Sequence, residues 1–190
     1  MVGQGVLREC LLDPGVECVN IVGRTASRVQ HPKLKEVIHQ DLLDFSSLEG
    51  ELSGFDACFF CLGVSSVGMT ESDYQRVTYG ITMAAAQTLS RLNQEMTFIY
   101  VSGAGTDSSE QERSMWARAK GKTENALLRL HFKAAYMFRP GIIEPPHGAK
   151  SKTASVRVIY SLTEPVLPLL GRIFPSYTSP VNRSDAACSK

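Results

Sequence analysis

Five cysteines, an odd number without framework spacing, are too few and too scattered for a disulfide scaffold. Cys10, Cys18, Cys58, Cys61 and Cys188 therefore point to a reducing, cytoplasmic setting. The first residues do not read as a charged-then-apolar leader, and no apolar run is long enough for a bilayer. Charge of one sign is also missing. The net charge of +1 asks for no acidic or nucleic-acid partner. No basic stripe with interleaved aromatics occurs, so nucleic-acid binding is not expected. There is no internal repeat and no low-complexity tract, which excludes solenoids and linker proteins. Residues 147–190 carry a net +4 and the rest −3, a tilt that a solvated face explains.

What the chain does have is hydrophobic sequence, 43% of its 190 residues, enough for a full core. The pattern alternates. A helix is expected from about Val2 to Leu12, ended by Asp13-Pro14-Gly15. "ECVNIVG" and the weaker "KEVIHQ" read as strands, and "DLLDFSSLEGEL" as loop and short helix. "FDACFFCLG" reads as a fully buried strand, as does "ECVNIVG". Thr70 and Asp73 form a capping box for a long helix whose stripe runs from Tyr74 to Leu92. "MTFIYVSG" is the next strand. Ser109 with Glu112 is expected to cap a further helix reaching about Leu130, and "KAAYMFRPG" is a last strand. A helical stretch is expected over 154–174, interrupted by Pro165 and Pro168. It is apolar with basic ends, and a helix pair over a substrate lobe suits it better than a membrane surface.

Strands alternating with helices predict an α/β fold: a three-layer, Rossmann-like parallel sheet with helices on both faces. The expected division is 1–146 for a dinucleotide-binding domain and 147–190 for a substrate-lobe remnant with a loose tail. Ligands in such sheets bind at the carboxyl ends of the strands. The residues there are Gly23-Arg24-Thr25, Asp41-Leu42, Leu62-Gly63, Ser102-Gly103 and Arg139-Pro140-Gly141. Small residues at these ends let a ligand approach the backbone closely. Cys58 and Cys61 resemble a Cys-x-x-C motif, but on a strand residues three apart face opposite ways, so core packing is the better reading. No metal site is expected.

Arg24 carries the cofactor preference. It has no acidic neighbour in sequence, where an NAD-binding domain places a ribose-binding carboxylate about 20 residues after its glycine loop. A guanidinium cannot accept a hydrogen bond but can grip a phosphate with two. This favours NADP(H) over NAD(H).

The order of "MVGQG", "VGR", "FCLGVS", "YVSGAG", "WARAK" and "FRPG" resembles the short-chain dehydrogenase/reductase superfamily, in its atypical or extended branch. The resemblance implies that Gly3 is the third glycine of a Gly-x-x-Gly-x-x-Gly loop. The first strand would then lie upstream, leaving "CVNIVG" and "FDACFFCLG" without a shared neighbour and making cofactor binding by this chain doubtful. It further implies that Lys120 is the lysine of a Tyr-x-x-x-Lys pair and Ser102 the accompanying serine. Lys120 would also hold the nicotinamide ribose. The tyrosine slot holds Trp116. An indole donates a hydrogen bond but does not titrate, so it cannot serve as general acid or base. The implied cofactor-binding set is Gly3, Arg24, Thr25, Asp41, Leu42, Leu62, Gly63, Lys120, Pro140 and Gly141.

Three functions remain open on sequence. The first is an NADP-dependent oxidoreductase or epimerase-like enzyme acting weakly on an unidentified small molecule. The second is a non-catalytic NADP(H)-binding regulatory or scaffold module. The third is an inactive truncated form of a longer enzyme. Neither the substrate nor the oligomeric state is legible.

Overall fold

The computed structural model describes residues 2–143 and 178–179. Val2–Arg139 forms one compact unit, and Pro140 onward belongs to a second.

In the first unit, helix α1 (Val2–Leu12) leads into strand β1 (Val19–Gly23), which pairs in parallel with β2 (Leu34–Ile38) from Val19↔Leu34 to Gly23↔Ile38. The Asp13 carboxylate takes over from the helix by accepting the Gly15 N–H at 2.8 Å, so the Asp-Pro-Gly break is a side-chain-supported turn. A 3₁₀ turn (Ser46–Leu48) and the short α2 (Glu49–Leu52) follow. A second parallel sheet has the order β3 (Ala57–Phe60), β4 (Thr97–Val101), β5 (Ala134–Phe138). Between β3 and β4 the chain is helical from Glu71 to Leu92: α3 (Glu71–Gln75), a π turn (Arg76–Gly80) and α4 (Ile81–Leu92). Thr70 caps it by accepting the Asp73 N–H at 3.2 Å, as the capping pattern predicts. Helix α5 (Met115–Leu127) joins β4 to β5.

The core lies on one face of the β3–β4–β5 sheet. The register aligns Phe60 with Tyr100 and Cys58 with Phe98, and these side chains meet Met83, Ala86 and Leu89 of α4 and Leu127 of α5. Phe98 and Tyr100 are at most 1% exposed, and Phe98 stacks on Phe132 with ring centroids 5.0 Å apart. Helix α1 touches both β1 and β3, against Cys61 just past the end of β3. The fold is thus α/β with parallel strands and helices: α4 and α5 pack on one face of β3–β4–β5, and α1 meets β1 and β3.

Two strand expectations need correction. "FDACFFCLG" is not buried throughout: Phe59 is 47% exposed, while Phe60 is buried. Its burial alternates because α4 and α5 cover only the face carrying Cys58 and Phe60. On the other face Phe59, Tyr136 and Phe138 stay largely exposed. Nor is β1 fully buried; each of its residues is half-buried. Among the described residues β1 pairs only with β2 and β3 only with β4, so each has an open edge. A third correction concerns the start of α5. Its cap is Ser114, not Ser109. The Ser109 hydroxyl is drawn instead to the Asp107 carboxylate at 2.6 Å, inside the preceding loop.

In the second unit, Pro140 and Gly141 precede a short parallel pair, β6 (Ile142–Ile143) with β7 (Thr178–Ser179). The helical stretch expected over 154–174 lies outside the described residues.

Candidate dinucleotide and active site

The carboxyl end of β4 gathers three of the singled-out residues. Ser102 is buried, and its N–H donates to the Phe138 carbonyl at 2.8 Å, prolonging the β4–β5 ladder. Its hydroxyl lies 2.9 Å from that of Thr106, which in turn donates to the Gly103 carbonyl at 2.8 Å. Lys120 comes in from α5. Its ammonium reaches the Val101 carbonyl at 3.5 Å and stands 5.4 Å from the centre of the Tyr100 ring. Burial lowers the Lys120 pKa, and the charge of Glu124 opposes that shift. Trp116, four residues earlier and so on the same face of α5, covers the Gly103–Gly105 backbone. A side-chain carbon at Gly105 would meet its ring at 3.3 Å. The structure therefore brings Ser102, Lys120 and Trp116 to one place.

Arg24 and Thr25 follow β1 and are exposed. The loop folds over through Gln40, whose side chain donates to the Arg24 carbonyl at 3.0 Å. An acidic group is nearby after all. Glu36, on β2, accepts the Ser27 N–H at 2.8 Å, and hydrogen bonds from Ser27 hold its carboxyl below the usual range. Sequence reading missed it because Glu36 comes from the neighbouring strand, twelve positions on.

Asp41 is exposed and closes its own turn, accepting the Leu43 N–H at 2.9 Å. Leu42 is a core residue, and Leu62 packs against the core. Only their backbones are left to line a ligand, since apolar side chains go inward where the sheet and helices offer cover. Gly63 is open: a side-chain carbon there would meet nothing within 4 Å. Gly3 lies inside the first turn of α1, where such a carbon would stand 3.2 Å from Cys61 Cβ. Its lack of a side chain permits this close approach of α1 to the residue past β3.

Cys58 packs into the core, and burial pushes its thiol up to about 12. Cys61 is past the strand end, beside Gly3. Cys10, Cys18, Cys58 and Cys61 are free thiols.

Several structuring residues escaped sequence reading. Glu124 is 2% exposed and forms a fork-to-fork ion pair with Arg139. Its four-residue spacing from Lys120 was the available signal. Asp107 accepts the N–H groups of Ser109, Gln111 and Glu112, and these bonds with the Ser109 hydroxyl pull its pKa down to about 2.

No family model matches the chain. The Bordetella bronchiseptica enzyme WbmG, solved in complex with NAD, superposes with a TM-score of 0.64 at 11% identity, over 87% of this chain and 57% of that one. The oxidoreductase ylbE from Lactococcus lactis gives 0.59 at 16% identity, covering 87% and 80%. A short chain dehydrogenase family protein from Francisella tularensis gives 0.54 at 13%, covering 87% and 72%. The chain has a Rossmann-like α/β fold similar to that of these three proteins. Among curated proteins, "Protein FMP52-2, mitochondrial" of Scheffersomyces stipitis is 32% identical over 98 residues, half of this chain and 41% of that protein. The chain thus spans less than half the length of this curated relative.

Proposed function

We propose that this chain binds a nicotinamide dinucleotide across the carboxyl ends of β1, β3 and β4, with NADP(H) preferred to NAD(H). The observation that carries the reading is the Lys120 ammonium, held by burial at the end of β4 beside Ser102. It fits a ribose hydroxyl that needs a donor. Gly63 leaves its strand end open, and Gly3 lets α1 approach the sheet closely. Arg24, exposed after β1, supplies a fork for a 2′-phosphate.

The bound nicotinamide would supply or accept hydride. Ser102, with Thr106 as its hydroxyl partner, would steady a substrate oxygen. Lys120 holds positive charge against a developing oxyanion. Trp116 delivers no proton, so oxidoreductase or epimerase-like turnover of a small molecule is expected to be slow. The same residue supports a second reading, a non-catalytic NADP(H)-binding regulatory module. Free, unframed cysteines support a cytoplasmic location. No helix among the described residues is long and apolar enough to cross a membrane.

Calorimetric titration tests the cofactor. Arg24→Ala should weaken NADPH binding by about 1–3 kcal/mol more than NADH binding, the worth of a lost charge-assisted contact. Equal losses for the two cofactors would sink the NADP preference. No heat with either cofactor would sink the dinucleotide reading.

A further inference from the structure

Glu124 is a charge buried in α5, a situation that is costly unless the charge is paired and its lone pairs are filled. Arg139, the first residue past β5, does both. Its Nε donates to the two carboxylate oxygens at 3.0 and 3.2 Å, and its Nη2 donates to one of them as well. The same Nη2 donates to Ser108 Oγ at 2.7 Å. One guanidinium therefore ties together three elements: the end of β5, helix α5 and the loop after β4.

That loop begins at Ser102 and contains Thr106. The Ser102 N–H ties its start to the Phe138 carbonyl, and further attachments run to α5: the Asp107 N–H to the Ala117 carbonyl at 3.2 Å, and the Asn125 side chain to the Ser108 carbonyl at 2.9 Å. Arg139 adds a restraint from the sheet. Glu124 stands one helical turn after Lys120 on the same face of α5. Fixing Glu124 and Ser108 to one planar group fixes the loop against the turn that presents the lysine.

We propose that Arg139 is a positioning residue. Through Glu124 on one side and Ser108 on the other, it sets where the Ser102–Thr106 loop lies relative to Lys120. The consequence for ligand affinity rests on the dinucleotide reading above; the placement of the loop does not. Lysine at position 139 would keep the charge facing Glu124 but has no planar fork with which to hold both partners.

Trp116 is the single tryptophan of the chain and lies on Gly103 and Gly105 of this loop, so its emission reports the seating of the loop. Arg139→Lys, Ser108→Ala and the double variant are made in the 190-residue chain. Ser108→Ala leaves the buried pair untouched and stays informative where Arg139→Lys fails to fold. Each single variant should red-shift Trp116 emission and raise its quenching by acrylamide, with far-UV circular dichroism unchanged. The double variant should go no further than the larger single one, because both substitutions cut one link. In a chain that binds NADPH, the dissociation constant should rise about tenfold in each. Wild-type emission and quenching in the folded variants would overturn the proposal, as would additive effects in the double variant. Raised quenching in a chain that binds no NADPH upholds the placement of the loop and counts against the dinucleotide reading instead.

Discussion

Gly121 in α5 lies directly beneath the carbonyl of Asp107: a side-chain carbon at position 121 would stand 1.7 Å from that oxygen. The loop after β4 is therefore seated on bare helix backbone. Neither side can yield easily, because the Asp107 carboxylate gathers three loop N–H groups and its N–H is bonded to Ala117. Gly121→Ala must lift the loop or bend the helix. The expected loss is about 1–3 kcal/mol or more, the range for overpacking. Gly50→Ala is the control, since nothing lies within 4 Å of a carbon added there. Urea unfolding of the two variants decides it: equal midpoints would mean that the loop does not rest on Gly121.

Asp107 also gives a pH signature. Its pKa falls from an ordinary 3.8 to about 2 in the folded chain, through the Ser109 hydroxyl and the loop N–H groups. A folded-state pKa below the unfolded one means that the unfolded chain binds more protons between the two values. The stabilisation is therefore complete above 3.8 and is lost as pH falls towards 2. Melting temperatures of the wild type and of Asp107→Ala, taken from pH 6 down to pH 2, should converge over that window. A gap that stays constant to pH 2 would show that the carboxylate charge does not hold the loop.

Turnover should be limited by the indole in the phenol's place. Trp116→Tyr supplies a titratable hydroxyl on the same helical face as Lys120. NADPH-dependent reduction of generic carbonyl compounds should rise by about 100-fold, the usual worth of general acid catalysis. No gain, with NADPH affinity intact, would leave the non-catalytic reading standing.

The open edges of β1 and β3 predict a gain from an added strand. In the Rossmann order 3-2-1-4-5-6, the pair β2–β1 and the trio β3–β4–β5 match the two sides of strand one. Helix α1 touches both β1 and β3, and its first turn lies at the carboxyl end of β3. Fusing an apolar strand and a Gly-x-x-Gly turn ahead of α1 should raise the melting temperature and tighten NADPH binding. Backbone groups left unpaired at two edges would find partners, and the turn would present its N–H groups to the pyrophosphate. Equal melting temperatures and equal NADPH-induced shifts with and without the extension would count against it.

The alternation of strands and helices was legible in the sequence because periodicity is local: the Tyr74–Leu92 stripe, the Thr70 cap and the Asp-Pro-Gly break each need only a few neighbouring residues. Ser102 at a strand end and Trp116 with Lys120 on one helix face could be read from local pattern, but the roles assigned to them came from the resemblance alone. How far each strand is buried was not legible. "FDACFFCLG" and "ECVNIVG" are apolar enough for a two-sided core, yet how many faces and edges are covered depends on which elements arrive from elsewhere in the chain. Long-range polar contacts were hidden in the same way. Glu36 reaches the loop that carries Arg24 from the next strand, and Arg139 meets Glu124 and Ser108 across fifteen and thirty-one positions. Ser109 looked like a helix cap in sequence and instead serves Asp107, because a hydroxyl takes whichever partner the folded loop brings within reach. The sequence by itself determined the elements and their order. The tertiary structure alone decided which faces are covered and which charges are paired, because both depend on groups that only folding brings together.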